Sequence, residues 1–150
     1  LASVREAASD LPVFFHINCS AAELEALYGE SLVYWHATGL DRDLEKEPEK
    51  AEHFGISVVE AMSGGAIPIT LRAGGPTEII TEGVNGFFYE DITGLVDQTR
   101  RIMNSTSEDE LQRLSLAAHS RALDFSYSRF NDAVSSLFGQ PISKNDSRLA

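Results

Sequence analysis

Short apolar runs separated by stretches of helical spacing recur along the chain, and this alternation limits the fold more tightly than any other feature. "LPVFFHI" (residues 11–17), "SLVYWHA" (31–37), "AIPITL" (66–71) and "GFFY" (86–89) are rich in β-branched and aromatic residues and have strand length. Between the first two, Ser20 and Glu23 stand at capping-box spacing, and Leu24, Leu27 and Tyr28 fall on one helical face. Residues 56–63 predict another helix, closed by Gly64-Gly65, and Pro76 opens a shorter one. Beyond residue 89 three helical patterns follow. Leu95, Val96, Thr99, Ile102 and Met103 share a face; Ser107 and Glu110 cap a run through Leu111, Leu114, Ala118 and Ala122; Phe130, Val134, Leu137 and Phe138 mark the last. Strands alternating with helices imply an α/β fold, a Rossmann-like doubly wound parallel sheet with helices at its C-terminal end. Pro68 fits its strand only if its missing N–H faces an unpaired position. Ligands of such sheets gather beyond the carboxyl ends of the strands, so the loops after Ile17, His36 and Leu71 are expected to share one rim.

A chain of 150 residues with 43% hydrophobic content can bury one core, so residues 1–140 are expected to form a single domain with 141–150 as a polar tail. Lys and Arg number 12 against 23 Asp and Glu, a net charge of −11, which repels a phosphate backbone and speaks against nucleic acid as a partner. No run approaches the ~20 apolar residues that span a bilayer, and charges in residues 1–10 do not suit an export signal. The lone Cys19 cannot form an internal disulfide and fits a reducing compartment, so a cytoplasmic location is expected. The chain opens at Leu1 within a helical pattern, which reads as a fragment of something longer. Residues 38–52, "TGLDRDLEKEPEKAE", are charged and lack an apolar period, as in an exposed loop, either a solvated insertion or a lid.

Two glutamates, Glu52 and Glu60, flank the apolar, glycine-containing stretch His53-Phe54-Gly55-Ile56-Ser57-Val58-Val59 at the head of the predicted helix 56–63. Amides around Phe54, Gly55, Ile56 and Ser57 would form the positive end of that helix, suited to a phosphate, with Gly55 allowing close approach. Carboxylates repel anions but accept hydrogen bonds from sugar hydroxyls. A nucleotide sugar combines those groups. On spacing alone, however, the two glutamates could equally be solvated surface residues. His16, His36, His53 and His119 have no metal-ligand spacing, and no metal is expected. Ser57 and Ser63 lack a nucleophile elbow, and no G-x-G-x-x-G turn follows the first run, against a dinucleotide-binding dehydrogenase.

"E-H-F-G-I-S-V-V-E-A-M-S-G-G", then "I-P-I-T" and "G-G-P-T-E-I-I", resembles the second half of the GT-B fold, retaining glycosyltransferases of family 4, with their E-x7-E signature running from Glu52 to Glu60. The likeness extends more loosely over residues 11–138. It implies a C-terminal domain that binds a nucleotide-sugar donor, UDP-, GDP- or ADP-linked, and needs no essential metal or other cofactor. It further implies that Glu52 meets hydroxyls of the transferred sugar and serves the catalytic step by orienting it, and that Glu60 binds the ribose. Amides of Phe54, Gly55 and Ile56 would meet sugar and diphosphate, Val59 would pack near the ribose or base, and His53 lies within the motif. Gly74, Gly75 and Glu78 are further donor-site candidates, although a glycine loop there could simply shape the backbone. The acceptor, a glycan, lipid or small molecule, would bind an N-terminal domain outside this chain, and the whole protein could sit peripherally at the inner membrane face. By itself the chain is expected to be inactive.

Three departures stand against the pattern. The upstream strand with its glycine, arginine and lysine positions is absent, the N-terminal acceptor domain is absent, and Asn18 stands where glycine is common. The alternative is a nucleotide-sugar-binding or regulatory module without catalysis.

Overall fold

The structure, a computed structural model, describes residues 2–139. Three parallel strands, β1 (Val33–His36), β2 (Ile67–Leu71) and β3 (Phe87–Tyr89), form one sheet in the order β1-β2-β3. Val33 pairs with Ile67 and His36 with Thr70, while Ile69 pairs with Phe87 and Leu71 with Tyr89. The helices are α1 (Ala2–Ala7), α2 (Ala21–Glu30), α3 (Ile56–Ser63), α4 (Pro76–Ile79), α5 (Ile92–Ser105), α6 (Glu108–Leu123) and α7 (Tyr127–Phe138).

Strand alternation sorts the core onto the two faces of the sheet. Ile67, Ile69 and Leu71 point with Phe87 and Tyr89 to one face, where they meet Leu95 and Ile102 of α5 and Leu114 of α6. Phe88 points to the other, among Val58 and Met62 of α3, Ile79, Ile80, and Ala118 and Ala122 of α6. Both faces are covered, so the expected doubly wound arrangement is present. Every residue of the central β2 is buried.

Pro68 occupies that central strand without breaking a ladder. The Ile67 amide donates to Leu32 on the β1 side, so the alternating backbone turns the Pro68 nitrogen toward β3, one residue before β3 pairing starts at Ile69. Gly86 passes there, where a Cβ would lie 2.7 Å from the proline ring. The expected helix caps also form: Ser20 and Glu23 make a reciprocal capping box, and the Ser107 hydroxyl accepts from the Glu110 amide.

The structure corrects three expectations. Residues 11–17 carry no strand; they begin in a local turn, with the Val13 amide donating to the Leu11 carbonyl, have no ladder partner among the described residues, and leave Phe14 84% exposed. A strand is made by its neighbour, and here none lies alongside. β1 is correspondingly half-exposed at its outer edge, with only His36 buried. On α5, Leu95 and Ile102 are buried but Val96 and Met103 face solvent, because the sheet covers a narrower stripe than the apolar pattern offers. α7 forms with Phe130, Leu137 and Phe138 exposed. Residues 38–52 form an exposed, turn-rich loop as expected, but Leu40 and Leu44 anchor it to the core. The polar tail 141–150 lies outside the described residues.

Candidate functional site

The loops after β1 and β2 converge on Glu52. His36, the last residue of β1, is buried, and its Nε2 lies 3.1 Å from Glu52 Oε2 and 3.3 Å from Thr38 Oγ1. The other carboxylate oxygen, Oε1, accepts the Phe54 amide at 3.3 Å. Burial alone would push the Glu52 carboxyl up, but the Phe54 amide, the His36 ring and the Gly55 amide together outweigh it, so the group sits below the usual carboxylate range and stays ionised. From the other loop, the Gly75 amide donates to the Glu52 carbonyl at 2.8 Å.

Glycine is required at both positions of that second loop. Gly74 has φ +62°, and a Cβ there would overlap the Glu52 carbonyl oxygen; a Cβ at Gly75 would overlap the His53 carbonyl. The two glycines therefore brace the backbone that carries Glu52. Glu78, expected beside them, is exposed on α4, and among the described residues its carboxylate makes no hydrogen bond; its backbone carbonyl accepts from Arg121 at 2.8 Å.

Gly55 turns the chain into α3 with φ 102° and ψ 48°, and its carbonyl receives the Val58 and Val59 amides. The Ile56 and Ser57 amides at the head of α3 have no intrahelical acceptor. Of the amides expected to face a phosphate, that of Phe54 instead turns to the Glu52 carboxylate, because a carboxylate two residues upstream reaches it first. The His53 side chain is exposed.

Glu60, one turn into α3, lines a cleft of about 380 Å³ between α2 and α3, together with Ala21, Leu24, Glu25, Tyr28 and Ser63. The Tyr28 hydroxyl is pushed up in pKa by burial first, then by the adjacent Tyr34 and Glu60. Close packing shapes this cleft: a Cβ at Gly64 would stand 2.8 Å from the Tyr28 carbonyl carbon. Glu60 also borders a second, largely apolar groove of about 580 Å³, which Val59, Phe54 and Ile56 line against Phe125 and Phe130. The Phe54 ring meets Phe125 edge-on with centroids 5.6 Å apart. Glu52 and Glu60 thus share one helix head while facing different surroundings.

Sequence reasoning weighed His36 only for metal-ligand spacing, which it lacks, and missed its contact with Glu52. Its signal was position, the last residue of a strand on the predicted rim; the partner sixteen residues on is set by the loop between them. No group of three or more His, Cys, Asp or Glu among the described residues is placed to hold a metal ion.

The family model described as glycosyl transferases group 1 matches residues 9–121. A mouse GDP-Man:Man(3)GlcNAc(2)-PP-Dol alpha-1,2-mannosyltransferase is 33% identical over 124 residues, which are 80% of this chain and 22% of that protein. A Rickettsia africae glycosyltransferase superposes with a TM-score of 0.70 at 20% identity over 91% of this chain and 36% of its own. Anabaena Alr3699/HepE in complex with UDP and glucose gives 0.69 at 18% identity, over 92% and 36%. These superpositions identify the fold as that of GT-B glycosyltransferases. The chain spans about a fifth of the length of the curated relative it matches.

Proposed function

From its membership of the group 1 glycosyl transferases, we propose that this chain is the donor-binding domain of a retaining, family 4 hexosyltransferase. The observation that carries this reading is the arrangement at the head of α3: an ionised Glu52 fixed by His36 and the Phe54 amide, Ile56 and Ser57 amides without an intrahelical acceptor, and Glu60 one turn on, lining the cleft between α2 and α3.

Each part suits one part of a nucleoside diphosphate sugar. Glu52 accepts hydroxyls of the sugar and orients it for transfer; it is an orienting group rather than a nucleophile. Glu60 accepts the ribose hydroxyls at the mouth of the cleft between α2 and α3, with Tyr28 and Leu24 as its apolar wall. The departing diphosphate gains negative charge, which the positive end of α3 stabilises without an acid residue or an essential metal. The donor is a UDP-, GDP- or ADP-sugar. A relative named for GDP-mannose and a fold neighbour holding UDP make the first two the leading choices. The acceptor, a glycan, lipid or small molecule, is bound outside this chain, so the chain alone turns nothing over. No helix among the described residues is long and apolar enough to cross a membrane. The lone Cys19 fits a reducing compartment, and the reading places the whole protein in the cytoplasm, where it could attach peripherally at the inner membrane face.

Calorimetric titration with UDP, GDP and ADP, then with their glucose or mannose conjugates, tests this reading. Glu60→Ala is expected to weaken the bare diphosphate by about 1–3 kcal/mol through lost ribose contacts. Glu52→Ala is expected to spare the diphosphate and weaken only the sugar conjugate. Equal losses for both ligands in both variants would overturn the division of roles, and no binding of any nucleotide would overturn the donor-site reading of this chain.

A further inference from the structure

His36 is held from three sides. Its backbone carbonyl accepts the Tyr89 hydroxyl at 2.8 Å, its ring lies against Tyr34 with centroids 6.5 Å apart, and its Nε2 points at Glu52 Oε2. It is 6% exposed, and His16, His53 and His119 are all exposed. An ionised carboxylate offers only acceptors, so the contact requires the hydrogen on Nε2, donating to Glu52. With Oε2 bonded to His36 and Oε1 to the Phe54 amide, the carboxylate is gripped at both oxygens while each keeps a further lone pair free.

We propose that His36 is a positioning residue for the donor sugar: its Nε2–H sets the orientation in which Glu52 presents its remaining lone pairs to sugar hydroxyls, so His36 helps separate a sugar-bearing donor from a bare nucleoside diphosphate. This rests on the reading that Glu52 meets the sugar. An unrestrained glutamate has three rotatable bonds, and freezing them at binding costs affinity. A buried histidine fixed by the tyrosine of the farthest strand removes much of that freedom beforehand. Thr38, within reach of the same nitrogen, restricts the ring further.

The test is titration of the wild type, His36→Leu, His36→Gln, Glu52→Ala and the His36→Leu/Glu52→Ala double variant with GDP and UDP and with GDP-mannose and UDP-glucose, each variant's fold checked by its thermal transition. His36→Leu is expected to weaken the sugar conjugate about tenfold, the loss of one hydrogen bond to a charged group, with the bare diphosphate changed less than about twofold on the same arithmetic. His36→Gln places an amide N–H near the Nε2 position and is expected to recover most of that loss. Adding His36→Leu to Glu52→Ala is expected to cost nothing more, since it acts through the missing carboxylate. Equal weakening of both ligands by a folded His36→Leu, no weakening of either, or full additivity with Glu52→Ala would overturn the positioning role. If Glu52→Ala itself fails to distinguish conjugate from diphosphate, the donor-site reading falls and this inference with it; if Glu52→Ala distinguishes them and His36→Leu does not, only the inference falls.

Discussion

Glu52 is defined as much by its backbone as by its carboxylate. The Gly74 position is the sharpest case, because its left-handed φ of +62° and the overlap of any Cβ with the Glu52 carbonyl act together. Gly74→Ala is therefore expected to cost about 1–3 kcal/mol of stability and to lose the sugar conjugate more than the bare diphosphate, as measured by denaturant unfolding and calorimetry of the same variant. Gly83→Ala, equally left-handed at φ +71° but with open space around it, carries the strain without the clash and is expected to cost less and spare the ligand. At this scale the chain was only partly legible. The motif around Glu52 and Glu60 stands out by its glycine-containing apolar stretch and its resemblance rather than by spacing alone, whereas the hold of His36 on Glu52 depends on how residues 38–51 return to the rim, which no local pattern encodes.

Elements whose signals are local were the ones that could be read in advance. The capping serines, the Gly64-Gly65 stop and Pro76 at a helix start act within a turn of themselves, and α2, α3, α4 and α6 follow them. Residues 11–17 have as strong an apolar pattern as any strand here, yet a ladder needs a second chain segment, and pairing is not written in the run itself. The stripes on α5 and α7 mislead for a related reason: apolar spacing marks a face that can be buried, and the sheet decides how much of it is. Two glycines separate local from packed contributions. Gly29 in α2 has nothing within 4 Å of an added Cβ, so Gly29→Ala is expected to stabilise the fold by about 0.5–1 kcal/mol. Gly86, against the Pro68 ring, is expected to lose about 1–3 kcal/mol as Gly86→Ala, both read as shifts in the urea midpoint.

Across the described residues, large apolar side chains are exposed at many points. Val13 and Phe14 of the unpaired run and Trp35 on the open edge of β1 are 47%, 84% and 57% exposed. A sheet edge with no partner among the described residues, carrying the exposed Trp35, invites edge-to-edge pairing, and a net charge of −11 opposes it by mutual repulsion. Association is therefore expected to strengthen with added salt as that repulsion is screened. Sedimentation velocity across a salt series should show this, and Phe14→Glu should reduce it; a variant that associates as the wild type does would place the contact elsewhere.

The bracing of the two rim loops also has an evolutionary side. The Glu52 carbonyl receives Gly75, the Glu52 carboxylate receives His36, and the His36 carbonyl receives Tyr89, so β1, β3 and the loop after β2 all contribute to the setting of one side chain. Such a chain of dependence leaves the solvent-facing positions of the loop between residues 41 and 50, its core anchor Leu44 aside, freer to drift while tying changes at 36, 52, 74, 75 and 89 to one another. Substitutions at those five positions should be inherited as a set, and a descendant that had abandoned sugar binding would be recognised by their coming apart.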